Sequence, residues 1–192
     1  MTNKMKKIIL VALMFGTIIS YANENIDIKD AKKTVKVEFS NVKKGQTLNI
    51  KDHTGLVVYN DKIENSGDYS KTFDFSALED GVYSFELIKD FEIVIKQFYV
   101  ENGLVTFLDD NNEKVFKPII RNEGQLLFIS KISFNNEPLK VTLYYNDKAV
   151  LSETVSGDQI LKRVYKLSEK EIGNYKVIVN SDDRTYIKEF KI

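Results

Sequence analysis

Ile172-Gly173-Asn174-Tyr175-Lys176-Val177-Ile178-Val179 decides how the chain is read, because Asp80-Gly81-Val82-Tyr83-Ser84-Phe85-Glu86-Leu87 stands as its near twin earlier in the sequence. Displacing the chain by 92 residues aligns Ser70–Val100 with Lys162–Ile192 without a gap. Ser76 then meets Ser168, Glu79 meets Glu171, Gly81 meets Gly173, Tyr83 meets Tyr175 and Asp90 meets Asp182. Ile95-Lys96-Gln97-Phe98 meets Ile187-Lys188-Glu189-Phe190, while Phe75 falls on Leu167 and Leu87 on Val179. An ungapped match that keeps the apolar alternation predicts two copies of one strand-built unit.

Elementary physics assigns each repeated position a task. Gly81 and Gly173 are expected to supply a backbone conformation that bulkier residues resist. Tyr83 and Tyr175 follow two residues later, where a hydroxyl can bond back to upstream backbone while the ring enters the core. Tyr83, Phe85 and Leu87 are predicted to face inward, with Val82, Ser84 and Glu86 outward. In the copy, Tyr175, Val177 and Val179 face inward. The closing strand changes phase, since Ile93 and Ile95 share one parity and Phe98 and Val100 the other. A β-bulge near Lys96-Gln97, repeated at Lys188-Glu189, is the expected remedy.

Outward from these strands, the sequence has 192 residues, 43% hydrophobic and 29% charged, in the globular range. Lysine plus arginine equals aspartate plus glutamate at 28 each, which gives no basic stripe for nucleic acid. Lys4, Lys6 and Lys7 precede an apolar run from Ile8 to Ile19 and the small-residue site Ser20-Tyr21-Ala22. Residues 1–22 read as a secretory signal peptide, and the run is short for a membrane span of about 20 residues. The mature chain is then expected to begin at Asn23, with 25 basic against 28 acidic residues and no membrane segment after cleavage. Cysteine is absent. That excludes disulfide staples, thiol catalysis, cysteine-based zinc sites and a lipoprotein anchor.

Residues 23–33 read as a polar tether. Val35, Val37 and Phe39 then alternate with Lys36, Glu38 and Ser40. Turn signals recur at Lys43-Lys44-Gly45-Gln46, Asp52-His53-Thr54-Gly55 and Asn65-Ser66-Gly67-Asp68, which gives a first β-sandwich module over 34–102. A second module is expected over 103–192. It opens with a hairpin of Leu104–Leu108 and Lys114–Ile120 around Asp109-Asp110-Asn111-Asn112, and ends with the repeated strands. The fold class is all-β: two tandem antiparallel β-sandwiches after the signal peptide.

The Leu78-x-x-Gly81-x-Tyr83 run resembles immunoglobulin-like and fibronectin-type-III-like sandwiches of secreted bacterial proteins. The second copy has Lys170 at the leucine position, with Ile172 as the candidate substitute, and there is neither a cysteine pair nor a core Trp. The last 55 residues also resemble the C-terminal sorting domain of the type IX secretion system. The counterparts there are Lys140–Tyr145, Asn146-Asp147-Lys148, Leu167-Ser168, Gly173-Asn174-Tyr175 and Lys188–Ile192. That family's Pro-Asn-Pro entry motif is missing; only Asn136-Glu137-Pro138 lies nearby.

Catalytic chemistry finds little support. His53 is the only histidine and falls in a polar turn, and no Gly-x-Ser-x-Gly elbow offers a serine. Asp109-Asp110-Asn111-Asn112-Glu113 is rich in oxygen ligands but lacks EF-hand spacing and its glycine, so it reads as a solvated turn. Ser181-Asp182-Asp183-Arg184 reads the same way. Glu79 and Asp80 are an ordinary acidic corner rather than a glycosidase pair. Lys96 and Lys188 suit strand-edge protection, and Tyr99, Tyr144 and Tyr145 suit either packing or contact with protein or glycan. The expected protein is exported to the periplasm, the cell surface or the extracellular space and is non-catalytic, without a cofactor; it binds an unknown protein or glycan at the cell surface or plays a structural part. The alternative is a type IX cargo whose last module sorts it. The sequence leaves its oligomeric state open.

Overall fold

The computed structural model describes residues 33–108, 112–157 and 159–192; the expected signal peptide and nearly all of the expected tether lie outside them. Every regular element in the described residues is a strand, so no helix there is long and apolar enough to cross a membrane. The chain divides into two compact units. The first takes in the described residues up to Lys89 together with Ile93–Lys114; the second is Asp90–Glu92 with Val115–Ile192.

The first unit places β1 (Thr34–Val42) beside β4 (Gly67–Asp74) in a two-stranded sheet. The larger sheet runs β3 (Val57–Lys62), β2 (Thr47–Asp52), β5 (Gly81–Ile88), β6 (Glu92–Glu101) and β7 (Leu104–Phe107); β8 (Glu113–Phe116), whose last two residues are assigned to the second unit, also pairs with β6. Its core draws on both sheets: Val37 and Phe73 from one, and Leu48, Ile50, Phe85, Leu87, Phe98 and Val100 from the other. Each comes from the inward parity of its strand, the arrangement in which two sheets bury their apolar faces against each other.

The second unit has β13 (Ile160–Lys166), β10 (Leu126–Ile132) and β9 (Ile119–Glu123) in one sheet. The other runs β12 (Lys148–Val155), β11 (Leu139–Tyr145), β14 (Asn174–Ser181) and β15 (Arg184–Lys191). Leu127, Ile129, Leu161, Leu139, Val141, Leu143, Val177 and Val179 fill its core.

Strand pairing recurs between the units almost residue for residue. Thr34 pairs with Asp74 and Leu126 with Lys166, each 92 positions on. Tyr83 pairs with Phe98 and Tyr175 with Phe190, again 92 positions apart. An irregularity also recurs, one position out of step: β2–β3 shifts register between Ile50 and Lys51, and β11–β12 between Leu143 and Tyr144. Upstream of Ser70, the likeness is thus legible in backbone pairing where side-chain identities have faded.

Four expectations fail on the strands. There is no bulge at Lys96-Gln97 or Lys188-Glu189, because β5–β6 and β14–β15 pair without a register shift. β6 simply has two apolar faces: Val94, Phe98 and Val100 join the core, while Ile93 and Ile95 are buried on the opposite side. Lys96 keeps the core-side parity, its ammonium 4.7 Å from the centre of the Phe107 ring, a place where a long apolar stem and a cation both find partners. Second, Glu86 is buried rather than outward in water, and its carboxylate pairs with Lys51 at 2.8 Å. Third, β7 and β8 do not form a hairpin with each other. Asn102 and Gly103, both at positive φ, make a tight turn that returns β7 onto β6, within the first unit. Fourth, Ile172 is 70% exposed and cannot stand in for Leu78, which packs on the first core.

Candidate functional site

Three constructions hold the side chains of interest. The first is the corner before β5 and β14. The Tyr83 hydroxyl donates to the Glu79 carbonyl at 2.9 Å, and the Tyr175 hydroxyl to the Glu171 carbonyl at 2.8 Å. Their rings stack on Phe98 and Phe190, with centres 5.7 Å and 5.5 Å apart. Burial raises both phenol pKa values, with Glu79 and Glu171 adding to the effect. Both hydroxyls therefore stay protonated as donors at neutral pH.

Gly81 and Gly173 occupy the same place for different reasons. Gly81 has φ of +156° with open room around a notional Cβ, the nearest atom being a Tyr83 ring carbon at 3.9 Å. At Gly173 the restriction is space. A Cβ there would come within 2.8 Å of a Tyr145 ring carbon and 3.0 Å of Asn146 Oδ1. The Tyr145 hydroxyl donates to the Ile172 carbonyl at 3.2 Å and its ring lies 5.1 Å from that of Tyr175, so it cannot simply swing away. Gly173→Ala is accordingly expected to destabilise the second unit by about 1–3 kcal/mol, the usual range for overpacking. Urea unfolding of the two proteins measures this, and no change would mean the corner yields freely.

The second construction is an acid–base strap between the two sheets of each unit. In the first, Lys71 on β4 donates to Asp61 Oδ2 on β3 at 2.9 Å and to the Tyr59 hydroxyl; the Tyr69 hydroxyl also donates to Asp61 Oδ2, at 2.9 Å. In the second, Arg163 on β13 pairs with Glu153 on β12 at 2.7 Å, and the Tyr165 hydroxyl donates to Glu153 at 3.0 Å. Asp61 and Glu153 are 92 positions apart, as are Lys71 and Arg163. Sequence reasoning missed this strap, although the same displacement carries it. Burial and Glu153 together push the Tyr165 phenol up to about 12.

Burial alone would raise the Asp61 carboxyl, but hydrogen bonds from Lys71 and Tyr69 and the Lys71 charge outweigh it and hold the pKa below its ordinary value. A depressed carboxylate stabilises the fold above its unfolded pKa, about 3.9, and that contribution is lost as pH falls through the folded value. Urea midpoints of the first unit should therefore drop on acidification below about pH 4, and Asp61→Asn should flatten that part of the profile. An unchanged profile in the variant would show the strap carries no linkage.

The third construction belongs to the second unit alone. Lys131 is 3% exposed, on the core-facing side of β10. Its ammonium donates to Ser181 Oγ at 2.8 Å and to Asp182 Oδ2, while Asn135 Nδ2 donates to Asp182 Oδ1 at 2.9 Å. Asp182 and Asp183 both have positive φ and form the tight turn between β14 and β15. Burial would raise the Asp182 carboxyl, but its bonds to Lys131, Asn135 and Ser181 lower it overall. Two sequence features meet here: the Ser181-Asp182 turn, and the phase position of Lys131 at the end of the inward apolar series Leu127-x-Ile129.

The remaining candidates stay apart. His53 is exposed in a turn organised by Asp52, whose Oδ1 accepts from the Thr54 backbone at 2.9 Å and its hydroxyl at 2.6 Å. Asp80 Oδ1 accepts from the Asn102 backbone at 2.7 Å, a turn-holding bond. Asp109–Asn111 lie outside the described residues. No group of three or more acidic or histidine side chains that could hold a metal occurs among the described residues. Tyr99 is 36% exposed, and the Tyr144 ring carries the Lys176 ammonium 5.1 Å from its centre.

Comparison with known proteins gives one family. Residues 15–101 match the family described as the secretion system C-terminal sorting domain. Among the described residues the match covers β1 through β6, not the C-terminal residues that carry the sequence likeness. No curated protein sequence matches the chain. A solved structure titled "Biofilm associated protein - BSP domain" is similar over 85% of this chain at 14% identity and a TM-score of 0.27. The chain spans about 27% of that protein's length. A likeness of that size carries no argument about function.

Proposed function

We propose that the chain is an exported, non-catalytic β-sandwich protein, carried by the type IX route and read for export through its second unit. The sorting-domain match over residues 15–101 supports the type IX route, and the recurrence of the same strand pairing in β10–β15 is what extends that likeness to the second unit. A fold of this kind makes a compact, cysteine-free surface unit whose stability rests on its core and inter-sheet straps. Within the reading, the signal peptide takes the chain out of the cytoplasm, the second unit is presented to the secretion machinery, and the first is displayed or binds at the cell surface.

Reporter fusions in a cell with type IX machinery test it. A periplasm-competent reporter joined to residues 115–192 should reach the cell surface or medium, whereas the reporter alone stays in the periplasm. Retention of the fusion in the periplasm, with the second unit folded, would overturn the sorting role. A second fusion to residues 33–114 asks whether the first unit, the one that matches the family, can do the same. Delivery by that unit alone would move the sorting function there.

A further inference from the structure

We infer that Lys131 and Asp182 become joined by an amide bond between Nζ and Cγ, an intramolecular cross-link that ties the β10 sheet to the β14–β15 turn of the facing sheet. Four observations on the second unit carry it. The lysine is buried, its side chain 1% exposed, on the core-facing side of β10, where a charge is held at a cost unless paired. Its Nζ contacts the Asp182 carboxylate directly. Asn135 Nδ2 donates to Oδ1, the oxygen that remains in an amide and bears the developing charge during attack. Ser181 Oγ lies 2.8 Å from Nζ and 3.3 Å from Oδ2, so one buried hydroxyl spans the nucleophile and the leaving oxygen.

The chemistry balances without an outside reagent. The ion pair passes one proton from Nζ to Oδ2, through Ser181 Oγ, and becomes a neutral amine and a carboxylic acid. The amine lone pair attacks Cγ, which forms the N–C bond. The C–Oδ2 bond then breaks, and Oδ2 leaves as water with the proton it received and a second from Nζ. No atom is oxidised or reduced. The recess lined by Glu137, Pro138, Ser181 and Asp182 gives the water an exit. The neutral pair is the minor state, since Asp182 is held below its ordinary pKa, but the reaction has to succeed only once in each molecule's lifetime. The product removes two charges from a low-dielectric site and leaves an amide whose carbonyl oxygen keeps the Asn135 bond. The first unit has Phe39 where the second has Lys131, packed against its core. The cross-link is therefore specific to the second unit, and it gives a chain without cysteine a covalent tie between sheets.

Mass spectrometry of the purified full-length chain, denatured, decides the matter. Wild type should be lighter than its encoded mature sequence by one water, and Lys131→Arg and Asp182→Ala should each show the full encoded mass. Trypsin should fail to cut after Lys131, and should release Asn122–Lys140 joined to Val177–Arg184 with one water lost. Quantitative recovery of free Asn122–Lys131 and free Val177–Arg184 from wild type would overturn the proposal. Ser181→Ala should accumulate uncondensed chains; complete condensation in that variant would overturn the relay assigned to Ser181 while leaving the link itself established by mass.

Discussion

Tyr175→Ala is expected to destabilise the second unit by about 3–5 kcal/mol, and Tyr83→Ala the first by a similar amount, the range for removing a large buried ring. Tyr175 is 3% exposed and Tyr83 8%, so each substitution removes a buried ring from its core. Tyr175 loses its stack on Phe190, its contact with the Tyr145 ring 5.1 Å away and its bond to the Glu171 carbonyl. Tyr→Phe at each site separates the contributions: it removes only the hydroxyl bond and should cost about 1 kcal/mol. Urea unfolding of the four variants measures both effects. Losses under about 1 kcal/mol for both alanine variants would mean that the corner is not a core element.

Phe98→Ala should be at least as damaging to the first unit. Phe98 is fully buried, and its ring centre lies 4.7 Å from Phe85, 5.1 Å from Phe75, 5.7 Å from Tyr83 and 6.1 Å from Phe107. Truncation of a buried Phe costs about 3–5 kcal/mol, and each aromatic pairing adds about 0.5–1.5 kcal/mol beyond area burial, which places Phe98 at the upper end. Phe190, its counterpart, is only partly buried and stacks on Tyr175 alone among the described rings. Phe190→Ala should therefore cost about half as much or less. The difference follows from β7, whose Phe107 and Val105 cover the β6 side of the first core, while none of the described strands pairs with the outer edge of β15. Equal losses at Phe98 and Phe190 would contradict that account.

The all-β class, the strand alternation and the corner tyrosines were legible because each depends on local period and on a short glycine-tyrosine spacing. Burial on the outer face of a sheet was not. Ile93 and Ile95 looked like misplaced core residues, and a bulge was the simplest repair, yet the strand stays regular and buries both faces. Glu86 was assigned to solvent by parity, which says which face a residue takes but not whether that face is covered. The glycine at position 173 was read as a conformational need, whereas the crowding comes from Tyr145 and Asn146 on β11 and its turn, a neighbour that sequence spacing does not name. β7 belongs with β6 and not with β8, because Asn102-Gly103 is a reversal within one sheet; in sequence a glycine turn between two apolar runs looks the same whether it separates strands or modules. The two straps are the clearest omission: Asp61–Lys71 and Glu153–Arg163 obey the same displacement as the tyrosines, but acid–base pairs ten residues apart are too common to stand out before the strands are paired.

Two units built on one sandwich plan, each with its own core and its own tyrosine corner, should open independently of each other. Native-state hydrogen exchange read by mass spectrometry on full-length Tyr175→Ala tests it most directly, because protection reports local opening segment by segment. The account predicts accelerated exchange across β10–β15 with wild-type protection retained in β1–β6. Equal loss of protection across both sets of strands would show a single shared core and contradict it.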